Sequence, residues 1–227
     1  VLSAIAIVPC APVLVPELAG VAAAELSDLA AAVTAAATAL PQRWIAVGTG
    51  RAEEVIAGGS GTFAGFGVDL PVRLSPESAD EPADLPLCAL MAAWLRGRVR
   101  PDASVAVHLY GAELGADAAV AKGRRLRAEI DQAPDPIGVL AVADGVNTLT
   151  RTAPGGYQPG NADAQQACDE ALASGDVAAL TRLAAPVLGR VAFQVLAGLA
   201  EPRPRSAEEL YRGAPYGVGY FAGVWQP

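Results

Sequence analysis

The chain has 227 residues, 52% hydrophobic and 18% charged, a composition that suits a globular fold with a sizeable core and excludes a disordered one. Its net charge of −8 argues against nucleic acid or anionic membrane as the main partner, since both are recognised through basic patches. No apolar run reaches the roughly 18 residues of a membrane span and no secretory leader pattern is present, so the expected location is cytoplasmic.

Three cysteines, Cys10, Cys88 and Cys168, lie far apart with no C-x-x-C pairing. This spacing suits free thiols in a reducing compartment and excludes a sequence-local zinc knuckle. His108 is the single histidine. Most metal sites and most Ser/His or Cys/His catalytic arrangements draw on imidazole, so one histidine narrows the available chemistry.

Ile5–Val8 reads as a strand buried on both faces, stopped by Pro9. Pro9, Pro12 and Pro16 hold the following segment extended and place Cys10 at the rim where ligands of open α/β sheets gather. Apolar residues from Leu18 to Leu40 recur at helical spacing and predict one helix over residues 18–39, ended by Pro41. Residues 43–48 predict a second strand. The Gly48-Thr49-Gly50-Arg51 turn lacks the third glycine of a dinucleotide fingerprint, because Glu53 stands there, so it reads as a plain strand exit.

Glycines and Phe63 and Phe66 within residues 58–67 predict a mobile loop or short hairpin, and the proline-rich residues 70–86 a surface loop able to cover the rim. A second helix spans Leu87 to Leu95 and ends near Gly97; a third strand spans 104–109. Residues 115–130 are helical, with Lys122, Arg124, Arg125 and Arg127 read as a solvated basic face. Residues 137–142 make a fourth strand, and Asp144-Gly145 turns off it. After a loop over 148–160, Asn161 caps a helix to Ala173, with Gly175 as stop and Asp176 as a new cap. Val187 to Leu199 stripe a further helix, closed by Pro202 and Pro204. Leu210-Tyr211 and Tyr216 to Trp225 alternate as an antiparallel hairpin would. This alternation of strands and helices gives a single α/β domain over residues 1–227.

Five stretches then carry a resemblance: Val8-Pro9-Cys10-Ala11-Pro12, Ala141 to Gly145, Pro154-Gly155-Gly156-Tyr157, Gly189 to Gly198, and Ala214 to Phe221. Taken in this order the chain resembles the catalytic-subunit family of class III extradiol ring-cleavage dioxygenases, in its actinobacterial, alanine-rich branch, over nearly its whole length. The resemblance implies a three-layer α/β/α fold with a mostly parallel or mixed central sheet, completed here by the C-terminal hairpin. It also implies, in active members, Fe(II) held by two histidines and a glutamate, with another histidine as acid/base. Imidazole and carboxylate suit Fe(II), and three ligands on one side leave positions open for catecholate and oxygen.

Residue by residue, the chain departs from that pattern. The first ligand histidine is replaced by Cys10, the second falls where Gly48-Thr49-Gly50-Arg51 stands, and the acid/base histidine falls where Asp144 to Thr150 stands, including Asn147. The resemblance therefore carries the fold and not the activity. The expected pocket consists of Cys10, Thr49, Arg51, His108, Glu113, Asp144, Asn147 and Tyr157, with Cys10, His108 and Asp144 as catalytic candidates.

Cys10 reads as a soft ligand or reactive thiolate on one account and as a small buried hydrophobe on the other. Convergence of Cys10, His108, Glu113 and Asp144 would make a mixed S/N/O set that favours zinc over Fe(II). The preferred expectation is no cofactor, with iron or zinc as the alternative. Three functions follow: a non-catalytic or diverged relative whose crevice binds a small molecule or partner; a metal-dependent enzyme built around Cys10 and His108; and an interaction subunit. The resemblance also implies assembly as a homodimer or with a small second subunit.

Overall fold

The computed structural model describes residues 1–79 and 81–227. In chain order the elements are β1 (Leu2–Val8), α1 (Pro16–Ala19), α2 (Ser27–Thr38), β2 (Arg43–Gly50), β3 (Glu54–Ile56), β4 (Ser60–Thr62), β5 (Pro71–Arg73) and α3 (Leu87–Val99). They continue with β6 (Ser104–Gly111), α4 (Ala116–Gln132), β7 (Ile137–Val142), α5 (Ala162–Ser174), α6 (Val177–Leu180), α7 (Arg190–Ala200), β8 (Ser206–Gly213) and β9 (Tyr220–Gln226).

Strands covered on both faces must be apolar along the covered stretch, and β1 and β7 are so: residues 4–8 of β1 and all of β7 are buried. They lie side by side in parallel within a seven-stranded sheet of order β3-β6-β2-β7-β1-β9-β8. β6, β2, β7 and β1 are mutually parallel, while β3 and β9 run antiparallel to their neighbours β6 and β1. β8 and β9 form the C-terminal antiparallel pair. The sheet is therefore mixed.

Two helical layers cover it. Leu29, Val33 and Ala36 of α2 and Cys88, Met91 and Leu95 of α3 pack on the face carrying Ala6, Ala46, Val107 and Leu140. Leu126 and Ile130 of α4, Leu172 of α5 and Phe193 and Leu196 of α7 pack on the face carrying Ile5, Val47, Val139 and Trp225. These two layers complete one α/β/α domain, and among the described residues no helix is long and apolar enough to cross a membrane.

Local chemistry differs from the sequence expectations at several points. The helix expected over 18–39 is broken: α1 ends at Gly20, whose φ of +56° leaves the helical region, a 3₁₀ turn spans Gly20–Ala23, and the helix restarts at Ser27. Val21 is 97% exposed, so this stretch has no apolar face to bury and alanine spacing misled the periodicity. Gly97 does not end α3, which runs through it to Val99. Within residues 70–86, expected to be loop, β5 pairs with β4; residue 80 lies outside the described residues. Asn161 occupies the N-cap position of α5, but its amide donates to the Thr148 hydroxyl at 2.9 Å instead of capping. Gly175 and Asp176 act as expected: the glycine takes φ +67° and the aspartate accepts from the Ala179 N–H.

α4 and α7 cross almost backbone to backbone. A Cβ on Gly123 would lie 2.0 Å from the Val195 carbonyl oxygen, and one on Gly198 would lie 2.0 Å from that of Val120. Two helices can approach so closely only where side chains are missing from both. Gly123→Ala and Gly198→Ala are therefore expected to lower stability by about 1–3 kcal/mol through overpacking, outweighing alanine's better helix propensity. Gly97→Ala, where a Cβ would meet nothing within 4 Å, is expected to shift the urea midpoint the other way. A common sign for the three variants in urea titrations would refute the close crossing.

Candidate functional site

The carboxyl end of β1 leads into Pro9 and Cys10, and that of β7 into Ala143 and Asp144. Because β1 and β7 are neighbours, the Ala143 N–H donates to the Val8 carbonyl at 2.9 Å and extends the ladder by one residue. This brings Asp144 alongside Cys10, and the Cys10 N–H donates to Asp144 Oδ1 at 2.8 Å. Cys10 packs against the α2/α3 layer, where Cys88, in the first turn of α3, and Tyr220, the first residue of β9, are also buried. These residues cluster at the strand ends.

Burial sets their protonation. The Cys10 thiol is pushed well above its ordinary value, chiefly by burial and then by Cys88 and Asp144. Burial raises the Cys88 thiol to about 12. The Tyr220 phenol is also raised, by burial first and then by Asp144 and Tyr216. Asp144 is raised to about 6 by burial, against the hydrogen bond from Cys10, which favours the charged form. Near neutral pH the cluster thus holds two protonated thiols, a phenol and one carboxyl group close to its titration point. Such a group can hold or release a proton, while Cys10 lacks the thiolate character that makes cysteine a nucleophile or a ready ligand.

The other expected pocket residues lie elsewhere. His108 stands in β6 between Val107 and Leu109, which face the Cys10 side, so its side chain points to the opposite face. There it lines a cavity of about 160 Å³ with Glu53, Tyr110, Lys122 and Glu129. Burial lowers its basicity, with Glu129 and Glu53 acting in the other direction. Thr49 lies opposite Tyr110 in the β2/β6 ladder, and its hydroxyl is buried without a partner. Arg51 and Glu113 are exposed, in the turns after β2 and β6. Asn147 supports the following loop: its carbonyl accepts from Gly155 N–H at 3.0 Å. Tyr157 is 47% exposed on that loop.

The structure brings Cys10 and Asp144 together and separates both from His108. Among the described residues, no three His, Cys, Asp or Glu side chains gather where they could hold a metal ion. With one histidine in the chain, lying on the other face of the sheet from Cys10, the residues present do not fit the two-histidine Fe(II) centre that the resemblance implies.

Cys88 was absent from the expected pocket, and only the structure shows its place. A Cβ on Gly48 would lie 2.2 Å from Cys88 Sγ, so the first glycine of Gly48-Thr49-Gly50 makes room for a thiol. Gln165 was missed as well. Its Oε1 accepts from the Val146 N–H at 2.7 Å and holds the segment that presents Asp144. The basic residues of α4 are largely engaged within the chain: Lys122 pairs with Glu53, Arg124 with Glu201 and Arg127 with Asp131.

No family model matches the chain, and no curated protein matches it. Among solved structures, it is similar to the crystal structure of the uncharacterized protein JW3007 from Escherichia coli K12. The TM-score is 0.57 at 11% identity, covering 98% of this chain and 99% of that one. At that identity the likeness shows the fold alone.

Asp144 gives a testable pH dependence. Its folded value near 6 lies above the 3.8 of an unperturbed aspartate, so protonation favours the folded state. Its contribution is complete below about pH 4 and is lost as pH rises through 6, by an amount on the order of 2–3 kcal/mol. Asp144→Asn should remove this component, so the difference in stability between wild type and variant should shrink as pH falls from 7 to 4. A difference that does not change with pH would refute the buried carboxyl.

Proposed function

We propose that this chain is a catalytically diverged relative of the class III extradiol ring-cleavage dioxygenases, whose crevice at the strand ends binds a small molecule without opening a catechol ring. The observation that carries the reading is Cys10. It stands where the resemblance implies a histidine ligand, its thiol is held protonated by burial, and its N–H is tied to Asp144. Ring cleavage calls for a cluster of imidazole and carboxylate ligands and a separate acid/base histidine. The single histidine faces the other side of the sheet, which also weighs against a replacement metal site built from Cys10 and His108. What the crevice offers is a carboxyl group near its titration point beside a phenol and a thiol. That set suits a neutral or basic ligand bearing hydrogen-bond donors.

The test is elemental analysis of protein purified without chelators, alongside its Cys10→Ala variant and a catechol ring-opening assay after incubation with Fe(II). Only trace iron and zinc in both proteins, with no ring-opened product, is the expected result. About one equivalent of metal in the wild type, lost in Cys10→Ala, would overturn the proposal in favour of a metalloenzyme, since a single bound ion per site is the signature of a real centre.

A further inference from the structure

The cavity that His108 lines, about 160 Å³, lies beside α4 at the β3 edge of the sheet, and it shares no lining residue with the Cys10–Asp144 cluster. Its lining follows from local periodicities. His108 and Tyr110 are two residues apart in β6 and share a face, and Val55 of β3 pairs with His108, with Glu53 just before that strand. Lys122, Arg125 and Glu129 recur at three- and four-residue spacing and so present one side of α4. The space equals that of about five waters at roughly 30 Å³ each, which limits an occupant to a small molecule.

Tyr110 is the unusual member. It is only 5% exposed, yet its hydroxyl makes no hydrogen bond with any described residue, whereas buried polar groups are normally partnered. Burial pushes the phenol up to about 12, so its O–H is retained and able to donate. The half-buried His108 imidazole makes no hydrogen bond with a described residue either, and being held neutral it offers one donor and one acceptor. Among the charged groups, the Lys122 ammonium donates to both carboxylate oxygens of Glu53, at 2.7 and 2.8 Å, so these two satisfy each other. Arg125 and Glu129 do not. Arg127 and Asp131 pair across one turn of the same helix at 2.7 Å, while Arg125 and Glu129, at the same spacing on the cavity side, make no ion pair with any described residue.

An unpaired cation, an unpaired carboxylate, a phenol and an imidazole around one small space match a ligand that carries both charges. We propose that this cavity binds a small α-amino acid, glycine or alanine, as its zwitterion. The ligand carboxylate accepts from the Arg125 guanidinium and the Tyr110 hydroxyl, and its ammonium donates to the Glu129 carboxylate and to the unprotonated nitrogen of His108. A simple anion at the same place meets Glu129 and Glu53 as well as Arg125, and a simple amine meets Arg125 and Lys122 as well as Glu129. A ligand of one sign therefore gains less than one whose two charges are each matched.

His108 is the single histidine, so its ring protons report on this cavity alone in a proton NMR spectrum. The experiment is a titration of the protein at neutral pH with glycine, alanine, acetate and methylamine in parallel, followed through that signal. Glycine or alanine is expected to give a saturable shift, with acetate and methylamine each binding at least about tenfold more weakly. Arg125→Ala and Glu129→Gln, both at exposed positions, should each weaken amino-acid binding by roughly tenfold at an unchanged urea midpoint. Tyr110→Phe, which keeps the ring and removes the hydroxyl, should weaken it as well. Saturation by neither amino acid, acetate or methylamine binding as tightly as the amino acids, or full affinity in both Arg125→Ala and Glu129→Gln would each overturn the proposal.

Discussion

The side chain of Gln165 occupies space that two glycines leave open, and the geometry of the strand-end cluster depends on this fit. A Cβ on Gly145 would stand 2.1 Å from its Oε1, and one on Gly219 would stand 2.0 Å from the same atom. With both absent, Oε1 accepts from Val146 N–H and Nε2 donates to Asp169, so a buried amide is satisfied at both ends. Around it the Gly145 N–H donates to Gly219 O and the Gly219 N–H to Val146 O, each at 2.8 Å. The Gly189 N–H donates to Asp144 O, also at 2.8 Å. The backbone on either side of Asp144 is thereby held, and its carboxyl group meets the Cys10 N–H. A larger side chain at position 145 or 219 would displace the amide and leave buried groups unpaired, which costs more than the hydrogen bonds contribute when formed.

The Cys10–Asp144 cluster and the lone histidine belong to opposite sides of one sheet, and that partition governs the chemistry available to the chain. A layer of closely packed apolar side chains separates them, so imidazole and carboxyl groups that would make a ligand set in one place act independently. Asp144 shares its surroundings with two thiols and a phenol, none of which ionises readily there. His108 shares its surroundings with Glu53, Glu129 and Lys122 at the open edge beside α4. The ion pairs of α4 are largely exposed and contribute little to stability, but they commit the basic face internally and limit its attraction for external anions.

Much of the fold was legible because its signals are local. Ile137 to Val142 is an unbroken apolar run between polar turns, and β7 has those limits. Gly175 followed by Asp176 ends one helix and starts another by backbone and side-chain geometry alone. Legibility failed where the signal was shared or absent. Alanines at helical spacing around Gly20 suit a helix but bury too little to hold one. Position 97 looked like a helix end because glycine is a poor helix former, yet tertiary packing of Leu90, Met91 and Leu95 carries α3 through it. In the site, Cys10 and Asp144 were each recognised at a strand end, whereas Cys88 and Gln165 lie within helices and carry no local mark of a role.

The sequence by itself determined which residues stand at strand ends, which segments are apolar enough to be buried on both faces, and that one histidine among 227 residues cannot supply an imidazole cluster. Only the tertiary structure decided which of these residues meet. Cys10 and Asp144 are 134 residues apart and touch because β1 and β7 are adjacent in the sheet, an order that no local pattern encodes. The alternation of side chains along β6 states that His108 opposes Val107 and Leu109. Which of those faces turns toward Cys10 is set by long-range packing of α2 and α3 on one side and α4, α5 and α7 on the other.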